Sequence, residues 1–189
     1  MIIVKLPNFI QTSLKNRQIF FRQPVYGCPN CNFEGKLYNH GSYERNVITE
    51  AESYKITIFR VKCPICGKTH ALIPDFLIPY FQYSLKTILK CLDLKYIERD
   101  SYSEILDYFN IKNINCYIST ATIAIFIKRF IFVVPKLRLF FNTFTNLHCH
   151  ESTSEAELLN HIHSYDSFSD THFNLHYFQN MPSFFMARA

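Results

Sequence analysis

Cys28-Pro29-Asn30-Cys31 and Cys63-Pro64-Ile65-Cys66-Gly67 decide how the rest of this chain is read. A CxxC turn brings two thiolates to one point while neighbouring amides donate to the sulfurs, and two such turns complete the four-coordinate shell that Zn²⁺ prefers. Proline fixes φ inside each turn, and Gly67 frees the exit of the second. The 31 residues between Cys31 and Cys63 leave room for hairpins that carry one turn to the other. A lone CxxC is also a redox motif. Two of them, each with a proline and without a βαβ setting, point to a structural metal. The expected cofactor is one structural Zn²⁺ on Cys28, Cys31, Cys63 and Cys66. Four thiolates leave no open position for water, so this ion stabilises rather than catalyses. They also saturate the ion, so the nearby His40 and His70 are read as surface residues or as neighbours of the ligands.

Around the cysteines the pattern is that of strands. Lys36 to Tyr43, Arg45 to Thr49 and Tyr54 to Lys62 read as extended, the last by strict alternation of Tyr54, Ile56, Ile58 and Arg60 with Lys55, Thr57, Phe59 and Val61. Gly27, Gly35, Gly41 and Gly67, the protein's four glycines, all fall among these turns. After Pro79 the period changes. Ser84 caps a helix with Leu85, Ile88, Leu89 and Leu92 on one face, Ser101 and Glu104 form a capping box for a second, and Ser119 or Thr120 caps a third that runs to Pro135. The expected fold is α+β. Residues 1–24 are a leader, 25–82 a four-cysteine zinc ribbon, 83–135 a helix-turn-helix-like bundle and 136–189 a weakly ordered tail rich in aromatics and histidine, with a short helix at Ser154 to His161.

Composition places the chain among folded proteins: 48% of its residues are hydrophobic and 19% charged. The net charge of +5 is uneven, because residues 1–138 carry 19 Lys and Arg against 10 Asp and Glu, whereas residues 139–189 carry one against five. A basic front part suits a polyanionic partner. The start lacks the layout of a signal peptide, and Lys128 and Arg129 break the apolar stretch Ile118 to Phe132, so a cytoplasmic protein without a membrane partner is expected. In such a reducing compartment paired CxxC motifs bind metal more often than they form bridges, and Cys91 and Cys116 are read as small apolar fillers.

The run from Cys63 to Tyr80, CPICGKTHALIPDFLIPY, is more specific than its cysteine spacing. With the upstream CPxC pair and Asn39-His40-Gly41-Ser42-Tyr43-Glu44-Arg45, it resembles a family of short bacterial proteins known only as a domain of unknown function. It also looks similar to the zinc-ribbon and helix-turn-helix front ends of insertion-sequence transposases. The resemblance covers about residues 25–135 and implies DNA binding linked to mobile elements. A carboxylate-based nuclease domain needs far more chain than follows Pro135, so a stand-alone binder, an accessory protein or a remnant is implied rather than an enzyme.

Two surfaces could meet DNA. The third helix opens with Thr120 and Thr122, small polar groups placed to reach base edges, and carries Lys128 and Arg129 further on. The ribbon offers Arg45, Arg60, Lys62 and Lys68 among tyrosines, with Arg60 and Lys62 on one side of their strand. The tail motifs His148-Cys149-His150 and His161-Ile162-His163 could hold a second metal, and the aromatic tail could dock on a protein partner. Asp75, Asp107, Asp166 and Asp170 form no spaced constellation for a catalytic metal, and no small-molecule substrate is implied. The expected function is a zinc-binding, non-enzymatic DNA-binding protein; the competing expectation is a zinc-stabilised protein-interaction module.

Overall fold

The computed structural model describes residues 1–4, 25–112, 117–168, 173–181, 183 and 185–186. Among them the fold is mixed α+β, with one four-stranded sheet and five helices. The chain divides into two compact units: Met1–Val47 with Tyr54–Asp75, and Ile48–Ser53 with Phe76–Ala189.

The first unit is built on the sheet. Its strands are β1 (Ile2–Val4), β2 (Tyr38–Ile48), β3 (Ser53–Lys62) and β4 (Thr69–Pro74), in the order β1-β4-β3-β2. β4 runs antiparallel to β3, with Val61 opposite His70, and parallel to β1, with Ile3 opposite Ile73. A strand buried on both faces reads as an apolar run without alternation. Thr69–Pro74 has that character: His70 and Leu72 to Pro74 are all buried. Period alone therefore does not single it out. β2 joins into one strand the two expected from Lys36 to Tyr43 and Arg45 to Thr49. β1 lies within the residues read as a leader, whose remainder, 5–24, is outside the described residues. Cys28, Leu37, Val61, Cys63 and Leu72 form a small core here.

The second unit is helical: α1 (Leu85–Tyr96), α2 (Tyr102–Lys112), α3 (Thr120–Phe144), α4 (Glu155–Phe168) and α5 (Phe173–Asn180). Ser84 caps α1 by accepting the Thr87 N–H at 3.1 Å, and Leu85, Ile88, Leu89 and Leu92 are buried as their spacing requires. The capping box at α2 closes both ways: Ser101 N–H donates to Glu104 at 2.7 Å, and Glu104 N–H to Ser101 Oγ at 3.3 Å. Ser119 caps α3 by accepting the Thr122 N–H at 3.2 Å. Most of the connection before it, with Cys116, lies outside the described residues. The segment Ile48–Ser53 joins this unit through Ile48, whose N–H donates to Gln82 O and whose carbonyl accepts from Ser84 N–H, each at 2.9 Å.

Two expectations are corrected. The third helix does not stop at Pro135 but continues to Phe144. An interior proline costs about 3 kcal/mol, yet fully burying a residue such as Leu or Phe stabilises by about 1.5–3 kcal/mol. Beyond Pro135, Leu137, Phe140 and Phe141 are completely buried, so packing outweighs the break. The boundary read at 135 thus falls inside α3, and the described part of 136–189 is not a weakly ordered tail. Phe140 meets the rings of Tyr165, Phe173 and Tyr177 from α4 and α5 at 5.2–6.2 Å between centroids. No helix among the described residues is long and apolar enough to cross a membrane.

Candidate metal centre

The two CxxC turns fold alike. In the first, Cys28 N–H donates to Phe33 O at 2.8 Å and Asn32 N–H returns to Cys28 O at 2.9 Å; in the second, Cys63 N–H donates to Lys68 O at 3.0 Å and Gly67 N–H to Cys63 O at 3.1 Å. The residue after each pair therefore takes a left-handed backbone, φ 55° at Asn32 and 69° at Gly67. Glycine adopts that region freely and asparagine is among the few others that tolerate it, which accounts for both identities. The chain enters the first turn through the antiparallel bridge Tyr26–Lys36, and the second links β3 to β4.

This geometry brings all four sulfurs together. Cys28 Sγ lies 3.7 Å from Cys66 Sγ, Cys31 Sγ lies 3.6 Å from Cys63 Sγ, and every pair is within 4.8 Å. These distances are far beyond a disulfide bond of about 2.05 Å. A tetrahedron of sulfurs at about 2.3 Å from a central ion has edges of about 3.8 Å. The four residues could thus hold one metal ion, and soft thiolates suit zinc, Cu(I) or iron.

The crowded sulfurs perturb one another in opposite directions. The Lys68 backbone N–H beside Cys66 Sγ holds that thiol down to about 7. At Cys31 the matching amide of Phe33 also pulls downward, but desolvation and the three neighbouring sulfurs outweigh it and push the thiol up to about 12. Four thiolates this close repel one another, and a divalent cation is what relieves the repulsion.

His70 is the neighbour that sequence reading placed only loosely. It is buried on β4, and its Nε2 lies 3.3 Å from Cys28 Sγ, where an N–H would stabilise the thiolate. Desolvation, then the N-terminal ammonium, lowers its pKa. Its signal was available in the strand that begins at Thr69, where His70, Leu72 and Pro74 share one face. His40 is exposed on β2, at the rim of a cavity of about 440 Å³ shared with Tyr38, Lys62 and Ile65.

The residues expected to meet DNA fall in different units. Arg60 and Lys62 are exposed on β3 and Lys68 is exposed just beyond the second turn, all within the first unit. A β-carbon at Gly41, where φ is +85°, would stand 3.6 Å from Arg60 Nη2, so the guanidinium lies across β2. Arg45 is half-buried, and burial lowers its pKa. The α3 residues divide into two pairs. At 100° per residue Thr120 and Lys128 share an exposed side, whereas Thr122 and Arg129 point the other way. Those two line a cavity of about 760 Å³ with Tyr80, Phe81, Tyr83 and Ile125, where Arg129 lies 5.9 Å from the Phe81 ring centroid. Sequence reading missed this aromatic wall, although Tyr80-Phe81-Gln82-Tyr83 marks it. Of the tail histidines, His163 Nε2 lies 2.9 Å from Asp93 Oδ1, and among the described residues the four-cysteine group is the one cluster that could hold a metal.

No curated protein and no solved structure is significantly similar to the chain. Residues 28–108 match the family model described as "Domain of unknown function (DUF6431)", a span that takes in all four cysteines, β2 to β4, α1 and the first part of α2.

Proposed function

We propose that the chain is a zinc-binding, non-enzymatic DNA-binding protein of transposase or mobile-element type, in which a four-cysteine zinc ribbon grips the phosphate backbone and a helix-turn-helix-like bundle follows. The observation that carries the reading is the four-sulfur cage in the same unit as the exposed cations Arg60, Lys62 and Lys68. A zinc ion with four thiolates has no position left for chemistry, but it stiffens the strands on which those cations stand. Fixed cations on a strand meet phosphates and release counterions, which supplies affinity without sequence readout. Base reading by α3 would rest on Thr120 and Lys128, since Thr122 Oγ1 is engaged with Ser119 Oγ at 3.0 Å and Arg129 with Phe81.

The test is fluorescence anisotropy with labelled duplexes over a salt series. Binding should weaken steeply as salt rises, and Arg60→Glu with Lys62→Glu should lower affinity for all sequences and flatten the log–log salt slope by about 2, close to 0.9 per phosphate contact. Thr120→Ala should alter preference at particular base pairs only. Absence of salt-sensitive binding to duplex or single-stranded DNA refutes the reading. In that event the second reading stands, a zinc-stabilised protein-interaction module or a transposase remnant. The observation that favours it is apolar: Ile125, Ile131, Phe132 and Leu139 of α3 are each about half exposed or more.

A further inference from the structure

The cavity beside the first turns of α3 lies wholly within the second unit, and its wall is aromatic. Phe126 is buried there, with the Tyr83 ring edge-on at 5.2 Å and the Phe81 ring tilted at 5.7 Å between centroids. The segment that brings these rings is pinned from both sides. Ile48 N–H donates to Gln82 O, Ser84 N–H donates to Ile48 O, and the Tyr83 hydroxyl donates to Tyr117 O. The space is therefore preformed, and its volume of about 760 Å³ lies within the roughly 300–1,000 Å³ of ligand sites. Two features at its edge are not accounted for by the core. Tyr80 is 73% exposed at φ 69°, a region that a bulky side chain enters only under strain, and such strain gathers where ligands are held. Arg129 is half-buried, yet among the described residues no carboxylate pairs with it. The Phe81 ring, its centroid 5.9 Å away, attracts the charge without satisfying the guanidinium N–H groups.

We propose that this cavity takes one unpaired nucleotide of a nucleic-acid strand, with the base against the aromatic wall and a phosphate on Arg129. Such a site deepens the DNA-binding reading and rests on it. A planar base stacks on tyrosine or phenylalanine whatever its identity, and a guanidinium meets a phosphate with two parallel N–H donors. Charge selects the ligand. No Asp or Glu lines the cavity and Arg129 is its one charged group, so an anion is favoured over a cation. Gln82, exposed on the same wall, adds an amide that both donates and accepts at a base edge. In a duplex each base is stacked on its neighbours, and only an unstacked base presents the face that this wall fits. A strand is favoured over a free nucleotide because residues 1–138 carry 19 Lys and Arg against 10 Asp and Glu, which attracts the flanking phosphates.

Isothermal titration of the full, zinc-loaded chain tests it, with four probes: a thymidine hexanucleotide, an abasic strand of the same length, thymidine 5′-monophosphate and a blunt duplex. The hexanucleotide should bind at least about tenfold more tightly than the abasic strand or the monophosphate. Tyr80→Ala and, separately, Arg129→Gln should each lower hexanucleotide affinity about tenfold and leave duplex affinity unchanged. Tyr80→Phe keeps the ring and should stay near the parent. Zinc content and far-ultraviolet dichroism of every variant should match the parent. Arg60→Glu with Lys62→Glu, which tests the ribbon, should leave the ratio between hexanucleotide and abasic strand as it is. Equal affinity for those two strands overturns the proposal, as does hexanucleotide binding that Tyr80→Ala and Arg129→Gln both leave intact, or a monophosphate that binds as tightly as the strand. Any of these results alongside salt-sensitive duplex binding removes this site alone and leaves the DNA-binding reading standing; a chain that binds neither strand nor duplex loses both.

Discussion

Removing one thiolate with Cys63→Ser should dismantle the first unit and leave the second standing. Among the described residues Leu37, Val61 and Leu72 are the fully buried side chains that join the buried cysteines in this cluster, and at about 1.5–3 kcal/mol each they contribute about 5–9 kcal/mol, with Ile2, Val4, Val25, Phe33 and Phe59 only partly buried against it. Ordering each residue costs about 1–2 kcal/mol, so a cluster this small cannot hold the cysteine turns by itself. A structural Zn²⁺ supplies about 10–16 kcal/mol of apparent binding energy to such a site. The second unit has a core of its own, with Phe109, Phe126, Phe130, Phe140 and Phe141 all buried. The sulfur separations of 3.6 and 3.7 Å correspond to a metal–sulfur distance of about 2.2–2.3 Å at the centre of a tetrahedron. X-ray absorption of the loaded protein should therefore find four sulfurs near that distance and no nitrogen. Cys63→Ser, or chelation of the parent, should release the ion and abolish amide protection in β3 and β4, while the helical dichroism persists. A metal-free chain whose β3 and β4 amides stay protected as in the parent would refute this reasoning, as would a nitrogen ligand at about 2.0–2.1 Å, the distance expected if His70 had entered the shell.

Phe140→Ala should cost about 3–5 kcal/mol in urea unfolding, because a fully buried ring against three others would leave a cavity, whereas Leu139→Ala, one residue away and 58% exposed, should cost under about 0.5 kcal/mol. Similar costs at the two positions would contradict the placement of α3 against α4 and α5. Acid stability should depend on the two capping carboxylates. Hydrogen bonds from the Ser101 hydroxyl and amide lower the pKa of Glu104, and those from the Ser154 amide and hydroxyl lower that of Glu157. A carboxyl depressed in the folded state adds stability above its unfolded pKa of about 4.3, and that stability is lost as pH falls through the folded value. Urea midpoints followed from neutral pH downward should thus fall less steeply for Glu104→Gln and Glu157→Gln than for the parent; an unchanged acid limb would mean that these boxes are not formed in solution.

Local chemistry was legible in the sequence wherever a residue type and its near neighbours suffice. The two CxxC turns, the caps at Ser84 and Ser119 and the Ser101–Glu104 box each span only a few residues, and their physics is complete within that span. Period identified the buried face of α1 for the same reason, since a helix presents every third and fourth residue to one side. What needed the tertiary structure was set by partners far away in the chain. β4 became a strand because β1 and β3 flank it, and His70 met Cys28 only once that strand was in place. α3 passed through Pro135 because the rings of α4 and α5 close over Phe140, a gain that no local propensity contains. Apolar residues also lie all round α3, and only folding showed that Ile123, Phe126, Phe130, Val133, Leu137 and Phe141 are buried while Ile125, Phe132 and Leu139 stay exposed.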